Sequence, residues 1–155
     1  MLLEDGFVPL FMGLQFSSVN ISFLVHSTED LETLELNVEE ALGLDPSEFK
    51  IEQLEGHFGN VLFFVRAHIT GKVAGDLIRK ISERLTPNAR AQIRSELERS
   101  MDEHDALFLR FDRQSLSDGL SISNDEPIRI KIKPKVRIGG HEEMRAAYSE
   151  ALGLR

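Results

Sequence analysis

The chain has 155 residues, of which 41 % are hydrophobic and 28 % are charged, so its composition is that of one globular domain and excludes wholesale disorder. It contains no cysteine, which excludes disulfides, thiolate metal sites and cysteine nucleophiles and suits a cytoplasmic protein. No apolar run approaches the roughly 18 residues that span a membrane, so we expect no membrane partner.

The charges are distributed unevenly along the chain. The net charge is −8, which argues at first against a nucleic-acid partner because phosphate contacts require cations. Residues 1–126 hold 11 basic and 23 acidic side chains, whereas residues 127–137 hold five basic and no acidic ones. The chain is therefore an acidic body with one short basic segment, and this asymmetry indicates an anionic partner.

The first predicted elements are a strand and a helix. Apolar and polar residues alternate over residues 18–26, which predicts a strand with one buried face. Apolar residues then recur at helical spacing as far as Leu42. We expect Ser27 or Thr28 to cap this helix and Gly43 to end it.

A hairpin and two helices follow. Residues 49–55 and 61–70 have the alternation of strands, and the five-residue glycine-containing connection at 56–60 predicts a hairpin between them. Residues 72–85 form an amphipathic helix. A second helix begins at Pro87, because proline is favoured in a first helical turn.

The last predicted elements are strands at 106–112 and 127–138 and a helix at 141–152. Pro134 limits backbone pairing, so the distal half of the last strand is expected at an edge or protruding. The order β-α-β-β-α-α-β-β predicts an α+β fold, in which helices pack on one face of a largely antiparallel sheet.

The domain organisation follows from this order. Residues 18–138 are expected to form a single α+β domain. Residues 1–17 carry acidic but no basic side chains, unlike a secretory signal, and are expected to be an N-terminal extension. They either add a strand or pack on another subunit. Residues 139–155 are expected to form a loosely attached helical tail.

The basic segment forms a regular pattern on the last predicted strand. Its alternating cations are Arg129, Lys131, Lys133, Lys135 and Arg137. Alternate strand residues project to one side about 6.6–7 Å apart, so these five form a row roughly 27 Å long. That spacing is close to the spacing of phosphates in an extended single strand. The alternative is an edge strand that lysines protect from aggregation, or a row neutralised by acidic helices.

The sheet face opposite the helices mixes aromatic rings with cations. Alternation places Phe64 and Arg66 of one strand and Phe108 and Arg110 of another on this face. The two rings have two interpretations. They are stacking platforms for unpaired bases, or they belong to a dimer interface or to a surface under the N-terminal extension.

Catalytic motifs are scarce. Arg145 stands where a His-Glu-x-x-His motif beginning at His141 would need its second histidine, and the five histidines show no helical pairing. A Gly-x-Ser-x-Gly elbow is missing, and Gly71-Lys72 lacks the preceding glycine of a phosphate loop. We therefore expect no enzyme, no cofactor and no metal, although a metal site assembled by the fold stays open.

Three segments, in order, resemble motifs of the archaeal RNA-binding, exosome-associated proteins. Residues 25–30 resemble their His-Ala-Thr-Glu-Asp opening, residues 56–60 their Gly-His-Phe-Gly-Asn loop, and residues 109–114 their Arg-x-Asp-Lys-Gln segment. The matching positions include His26, Thr28, Gly56, His57, Phe58, Gly59, Asn60 and Gln114. The likeness covers about residues 18–135, and Val61 and Arg113 depart from it, standing where the family has proline and lysine.

This resemblance implies a fold like that of ribosomal protein L-five, an archaeal cytoplasmic setting and a link to RNA processing or degradation; it does not imply an enzyme. It makes His57, Asn60, Arg110, Arg113 and Gln114 candidate RNA contacts.

The loop at 56–60 also has a purely structural interpretation. Gly56 and Gly59 can serve positive φ angles, and Asn60 can bond its own backbone.

Three functional hypotheses follow. The first is a non-catalytic RNA-binding accessory protein that works with RNA-processing proteins or an exosome, with Phe64 or Phe108 offering stacking. Its predicted phosphate contacts are Arg129, Lys131, Lys133, Lys135, Arg137, Arg66, Arg110 and Arg113. The second is a protein-interaction module whose basic strand meets an acidic partner or a second copy of this chain as a homodimer. The third is a nuclease or hydrolase that uses His57 and a carboxylate.

Overall fold

Five strands and four α-helices make up residues 16–135 and 139–154, which this computed structural model describes. The strands are β1 (Phe16–His26), β2 (Phe49–Glu55), β3 (Val61–Thr70), β4 (Leu107–Phe111) and β5 (Ile128–Pro134). The helices are α1 (Leu31–Leu42), α2 (Gly71–Arg84), α3 (Pro87–Glu96) and α4 (His141–Ala151). The α+β class and the element order are therefore confirmed. Among these helices none has the length and hydropathy needed to cross a membrane.

The strands form one antiparallel sheet in the order β2-β3-β1-β5-β4. Because β5 pairs with β1 on one side and β4 on the other, the basic segment does not protect an edge, and that interpretation is excluded. The strand ends at Pro134, earlier than predicted. Lys135 lies exposed just beyond it, and Arg137 lies outside the described residues.

One face of the sheet and the helices enclose the hydrophobic core. Side chains alternate along a strand, so the apolar residues of every second position meet the helices. The most completely buried of them are Val19, Val25, Val65, Leu107, Phe111 and Ile132. The residues between them point to the opposite face, which is where the predicted cations lie.

The N-cap of α1 differs from the prediction. Asp30 caps the helix instead of Ser27 or Thr28: its carboxylate accepts hydrogen bonds from the backbone N–H of Thr33 at 3.2 Å and from the Thr33 hydroxyl at 2.8 Å. These bonds from Thr33 lower the pKa of Asp30. Gly43 ends the helix as predicted, in the left-handed region at φ 67°.

Helix α4 belongs to the core and is not loosely attached, in contrast to the prediction. Met144, Ala147, Tyr148 and Leu152 have no exposed surface. The hydroxyl of Tyr148 donates a hydrogen bond of 2.6 Å to the backbone carbonyl of Asp105, beside β4. The segment after the last strand therefore stabilises the sheet through buried apolar surface and a buried hydrogen bond.

Candidate nucleic-acid interface

The sheet face opposite the helices carries the cations of β5. Arg129, Lys131 and Lys133 alternate along the strand and project to this face about 6.6–7 Å apart. Arg129 and Lys133 are exposed and Lys131 is half-buried. Three of the five cations predicted as one row are therefore placed side by side.

A second row of cations crosses the sheet at right angles to β5. Strand register places Lys50 opposite Arg66, Arg66 opposite Ser22, Ser22 opposite Arg129, and Arg129 opposite Arg110. Neighbouring strands lie about 4.8 Å apart, so four exposed cations lie within roughly 19 Å. We call Lys50, Arg66, Arg129 and Arg110 the cation row, and the cation row together with Lys131 and Lys133 the basic face.

The cation row contains two pairs of like charges that face each other directly. Lys50 opposes Arg66, and Arg110 opposes Arg129. Like charges in directly opposed positions destabilise a sheet. Within residues 16–135 and 139–154, no carboxylate lies within 4.0 Å of a cationic nitrogen of the basic face. No ion pair of the described residues therefore neutralises these cations, and an anion bound here would reduce their repulsion.

The two aromatic rings of this face have different surroundings. The ring of Phe108 is 40 % exposed, and the Nζ atom of its cross-strand neighbour Lys131 lies 5.2 Å from the ring centroid. This is a cation–π contact. Phe64 is half-buried and faces Leu24 and Glu52 across the neighbouring strands. Phe108 is therefore better placed than Phe64 to stack on a ligand.

Arg113 does not belong to the basic face. Its side chain is buried; its Nε donates a hydrogen bond of 2.6 Å to the backbone carbonyl of Glu126, and its Nη1 lies 3.3 Å from Oε2 of Glu29. The prediction of Arg113 as an extension of the phosphate track is therefore withdrawn, because the guanidinium is already bound inside the protein. Gln114 beside it is exposed.

The motif residue His26 joins the same network. Its Nε2 atom lies 2.5 Å from Oε1 of Glu126, and this hydrogen bond lowers the pKa of Glu126. The potential ligand atoms of His26, Glu29 and Glu126 all lie within 4.8 Å of one another, a donor set that a divalent metal could use. The guanidinium of Arg113 lies beside Glu29 and supplies positive charge there. The network thus ties the end of β1 to the segment before β5, and Thr28 lies exposed in the adjacent turn.

The loop at residues 56–60 precedes β3, and its last residue is six residues or roughly 20 Å from Arg66 along the strand. Gly59 has φ +79°, which glycine adopts without strain. Gly56 does not have a positive φ, so that part of the prediction is wrong; a Cβ there would overlap the side-chain amide of Asn60, which would have to move. The ring centroids of His57 and Phe58 lie 4.8 Å apart in an edge-on arrangement, and Phe58 is 91 % exposed. These motif residues are thus presented to solvent but not brought to the cation row.

The sequence interpretation missed Lys50. It lies on an edge strand among the mostly exposed residues of β2, so alternation alone does not assign its face. The register of the hairpin does, since the five-residue loop pairs Glu55 with Val61 and thereby places Lys50 opposite Arg66. Because the hairpin and its five-residue loop were predicted, the loop length could have indicated from the sequence that Lys50 lies opposite Arg66.

The chain is similar to known proteins in sequence and in fold. A family model described as RNA binding matches residues 18–134. The RNA-binding protein PAB1135 of Pyrococcus abyssi is 30 % identical over 129 residues, which cover 77 % of this chain and 84 % of that protein.

Solved structures show the same fold. The DUF54 protein Mth689 of Methanothermobacter thermautotrophicus has a TM-score of 0.71 at 22 % identity, covering 89 % of this chain and 98 % of that one. Protein AF2318 of Archaeglobus fulgidus, also of DUF54, has a TM-score of 0.70 at 27 % identity, covering 88 % of this chain and 99 % of that one. The sheet that carries the basic face is therefore shared with these proteins.

We expect Arg113→Ala to lower the free energy of unfolding by about 1–3 kcal/mol, because it leaves the Glu126 carbonyl without its donor and removes the cation beside Glu29, whose carboxylate then keeps only the backbone N–H of His26. Urea denaturation followed by circular dichroism measures this. The matched variant Arg110→Ala removes an exposed arginine and should not destabilise the protein. Equal stability of the two variants would contradict the structural role of Arg113.

Proposed function

We propose that this chain, which belongs to the RNA-binding family whose model matches residues 18–134, binds RNA through the basic face as a non-catalytic accessory protein. The observation that carries the proposal is the cation row, in which two pairs of like charges oppose each other on an exposed surface. The rest of the chain is acidic enough to give a net charge of −8, so excess positive charge alone does not account for these positions.

The cations of this face can bind the phosphates of an RNA strand in two directions, along β5 and across the sheet. Along β5, the cations Arg129, Lys131 and Lys133 are spaced like the phosphates of an extended single strand. Across the sheet, Arg66 and Arg110 flank Arg129 and allow the backbone to turn or a second strand to pass. Each phosphate bound between opposed cations removes part of their repulsion, so binding is favoured by more than one charge contact at a time.

Unpaired RNA fits the face better than a duplex. The exposed ring of Phe108 lies beside Lys131, within the basic face, and can stack on a base only if that base is free of a partner strand. The groups of the face donate hydrogen bonds, neutralise charge and stack. These are binding roles, and they support an accessory function over catalysis at this surface.

The proposal also includes the setting in which the protein works. We infer that it associates with an exosome or other RNA-processing proteins in an archaeal cytoplasm and that its fold is like that of ribosomal protein L-five. The support for these points is the likeness of residues 25–30, 56–60 and 109–114 to the motifs of that family.

Fluorescence anisotropy with a labelled single-stranded RNA tests the binding surface. Affinity should fall between about 50 and 200 mM salt, and Arg66→Gln or Arg129→Gln should each reduce the slope of log K against log salt by about 0.7, the value for one phosphate contact. The control Arg79→Gln removes a cation of α2 that is 70 % exposed, and it should leave the slope unchanged.

Two outcomes would contradict this assignment. Absence of binding at about 50 mM salt removes the proposed function, since electrostatic contacts are strongest there. If Lys131→Glu combined with Lys133→Glu instead abolishes a homodimer or a protein complex, seen by light scattering or pull-down, and leaves RNA retention intact, the face serves protein interaction.

A double-mutant cycle on Lys50 and Arg66 tests the unrelieved repulsion. Lys50→Gln and Arg66→Gln should each raise the free energy of unfolding by about 0.2–1 kcal/mol, because each removes the same like-charge pair. The free energy of unfolding of the double variant should exceed that of either single variant by little. All three variants should bind RNA more weakly than the unchanged protein. Additive effects, or destabilisation by both single variants, would show that these cations do not repel each other in the free protein.

A further inference from the structure

A cleft of about 270 Å³ opens at the end of the cation row. Its lining residues are Arg99, Ser100, Met101, Asp102, Phe108 and Arg110. Arg110 is the last cation of the row and Phe108 carries the exposed ring of the basic face, so a strand of RNA on that face passes the mouth of the cleft.

The backbone after α3 builds this cleft by extending the sheet beyond β4. The N–H of Phe108 donates to the carbonyl of Ser100 at 2.9 Å, and Met101 forms a bridge with Leu107. Met101 points into the core. Ser100 and Asp102, on either side of Met101 in the chain, line the cleft together with Phe108.

Asp102 offers one carboxylate oxygen to a ligand. Its Oδ1 atom accepts hydrogen bonds of 2.9 Å from the backbone N–H groups of His104 and Ala106, which fixes the side chain. No residue in the described ranges donates to Oδ2. Burial acts to raise the pKa of Asp102, but these two hydrogen bonds and the charge of Lys131 lower it overall, so the group is an ionised acceptor at neutral pH.

A carboxylate at the end of a phosphate-binding surface selects for a different part of the nucleotide. It repels phosphate and accepts from the ribose 2′-hydroxyl, which every nucleotide carries, or from N–H groups, which only the bases provide and which can therefore distinguish one base from another. Guanine presents two adjacent donors, N1–H and the N2 amino group, and it also presents the acceptors O6 and N7, to which arginine donates. Uracil has no amino group.

We propose that the cleft holds one unpaired guanine of the bound RNA, with its ring against Phe108 and its N1–H and N2 amino group directed to Asp102. Arg110 and Arg99 then donate to the acceptor edge. Arg99 is free to turn, since its side chain is 79 % exposed and its contact with Glu96 is long, at 3.8 Å. This inference rests on the proposed function, because it names the base that the same surface selects.

Four labelled heptanucleotides test the inference by anisotropy: heptauridine, and the same strand with guanosine, adenosine or cytidine at its centre. The guanosine strand should bind about tenfold more tightly than heptauridine, the size of effect expected for one well-placed base contact. Equal affinity for the four strands would overturn the guanine assignment while leaving RNA binding intact. Absence of binding to all four would overturn the proposed function itself.

Two variants separate recognition from stacking. Asp102→Asn keeps an acceptor for His104 and Ala106 but turns the free oxygen into a donor, so the guanine preference should fall to less than about twofold while heptauridine affinity is retained. Phe108→Leu should weaken all four strands and preserve their ranking. A guanine preference that survives Asp102→Asn would contradict the proposal.

Discussion

Repulsion between cations that face each other across paired strands is the constraint on which this account depends. Lys50 opposes Arg66 and Arg110 opposes Arg129, and within the described ranges none of the four forms an ion pair within 4.0 Å. A sheet gains no stability from such pairs. Anions of regular spacing remove the repulsion, so the arrangement that destabilises the free protein favours binding of a polyanion.

The sheet tolerates this repulsion because its other face is buried. Val19, Ile21, Ile130 and Ile132 lie in the core with at most 1 % exposure. Burial of one such side chain contributes about 1.5–3 kcal/mol, which exceeds the roughly 0.2–1 kcal/mol associated with one cross-strand pair. The two-residue period of a strand thus places the stabilising apolar side chains on one face and the cations that bind on the other. Helix α4 adds buried apolar surface to the first of these faces.

The sequence predicts what is local and fails where distant parts of the chain meet. Alternation correctly placed Arg66 and Arg129 on the open face, since the period of a strand depends only on neighbouring residues. It did not show that β5 lies inside the sheet, because strand order is set by long-range pairing. Lys50 enters the cation row only through hairpin register. Arg113 resembled an exposed cation because its partner Glu29 lies 84 residues earlier in the chain.

Side-chain NMR of the arginines during titration with single-stranded RNA tests the central claim most directly. The Nε–H signals of Arg66, Arg110 and Arg129 should shift together and saturate with the same dissociation constant, because one ligand covers the cation row. The signal of Arg79 on α2 should stay unchanged. If only the Nε–H signals of arginines on α2 and α3 shift and those of the three sheet arginines do not, the RNA lies on the opposite side of the molecule. That result would contradict the account.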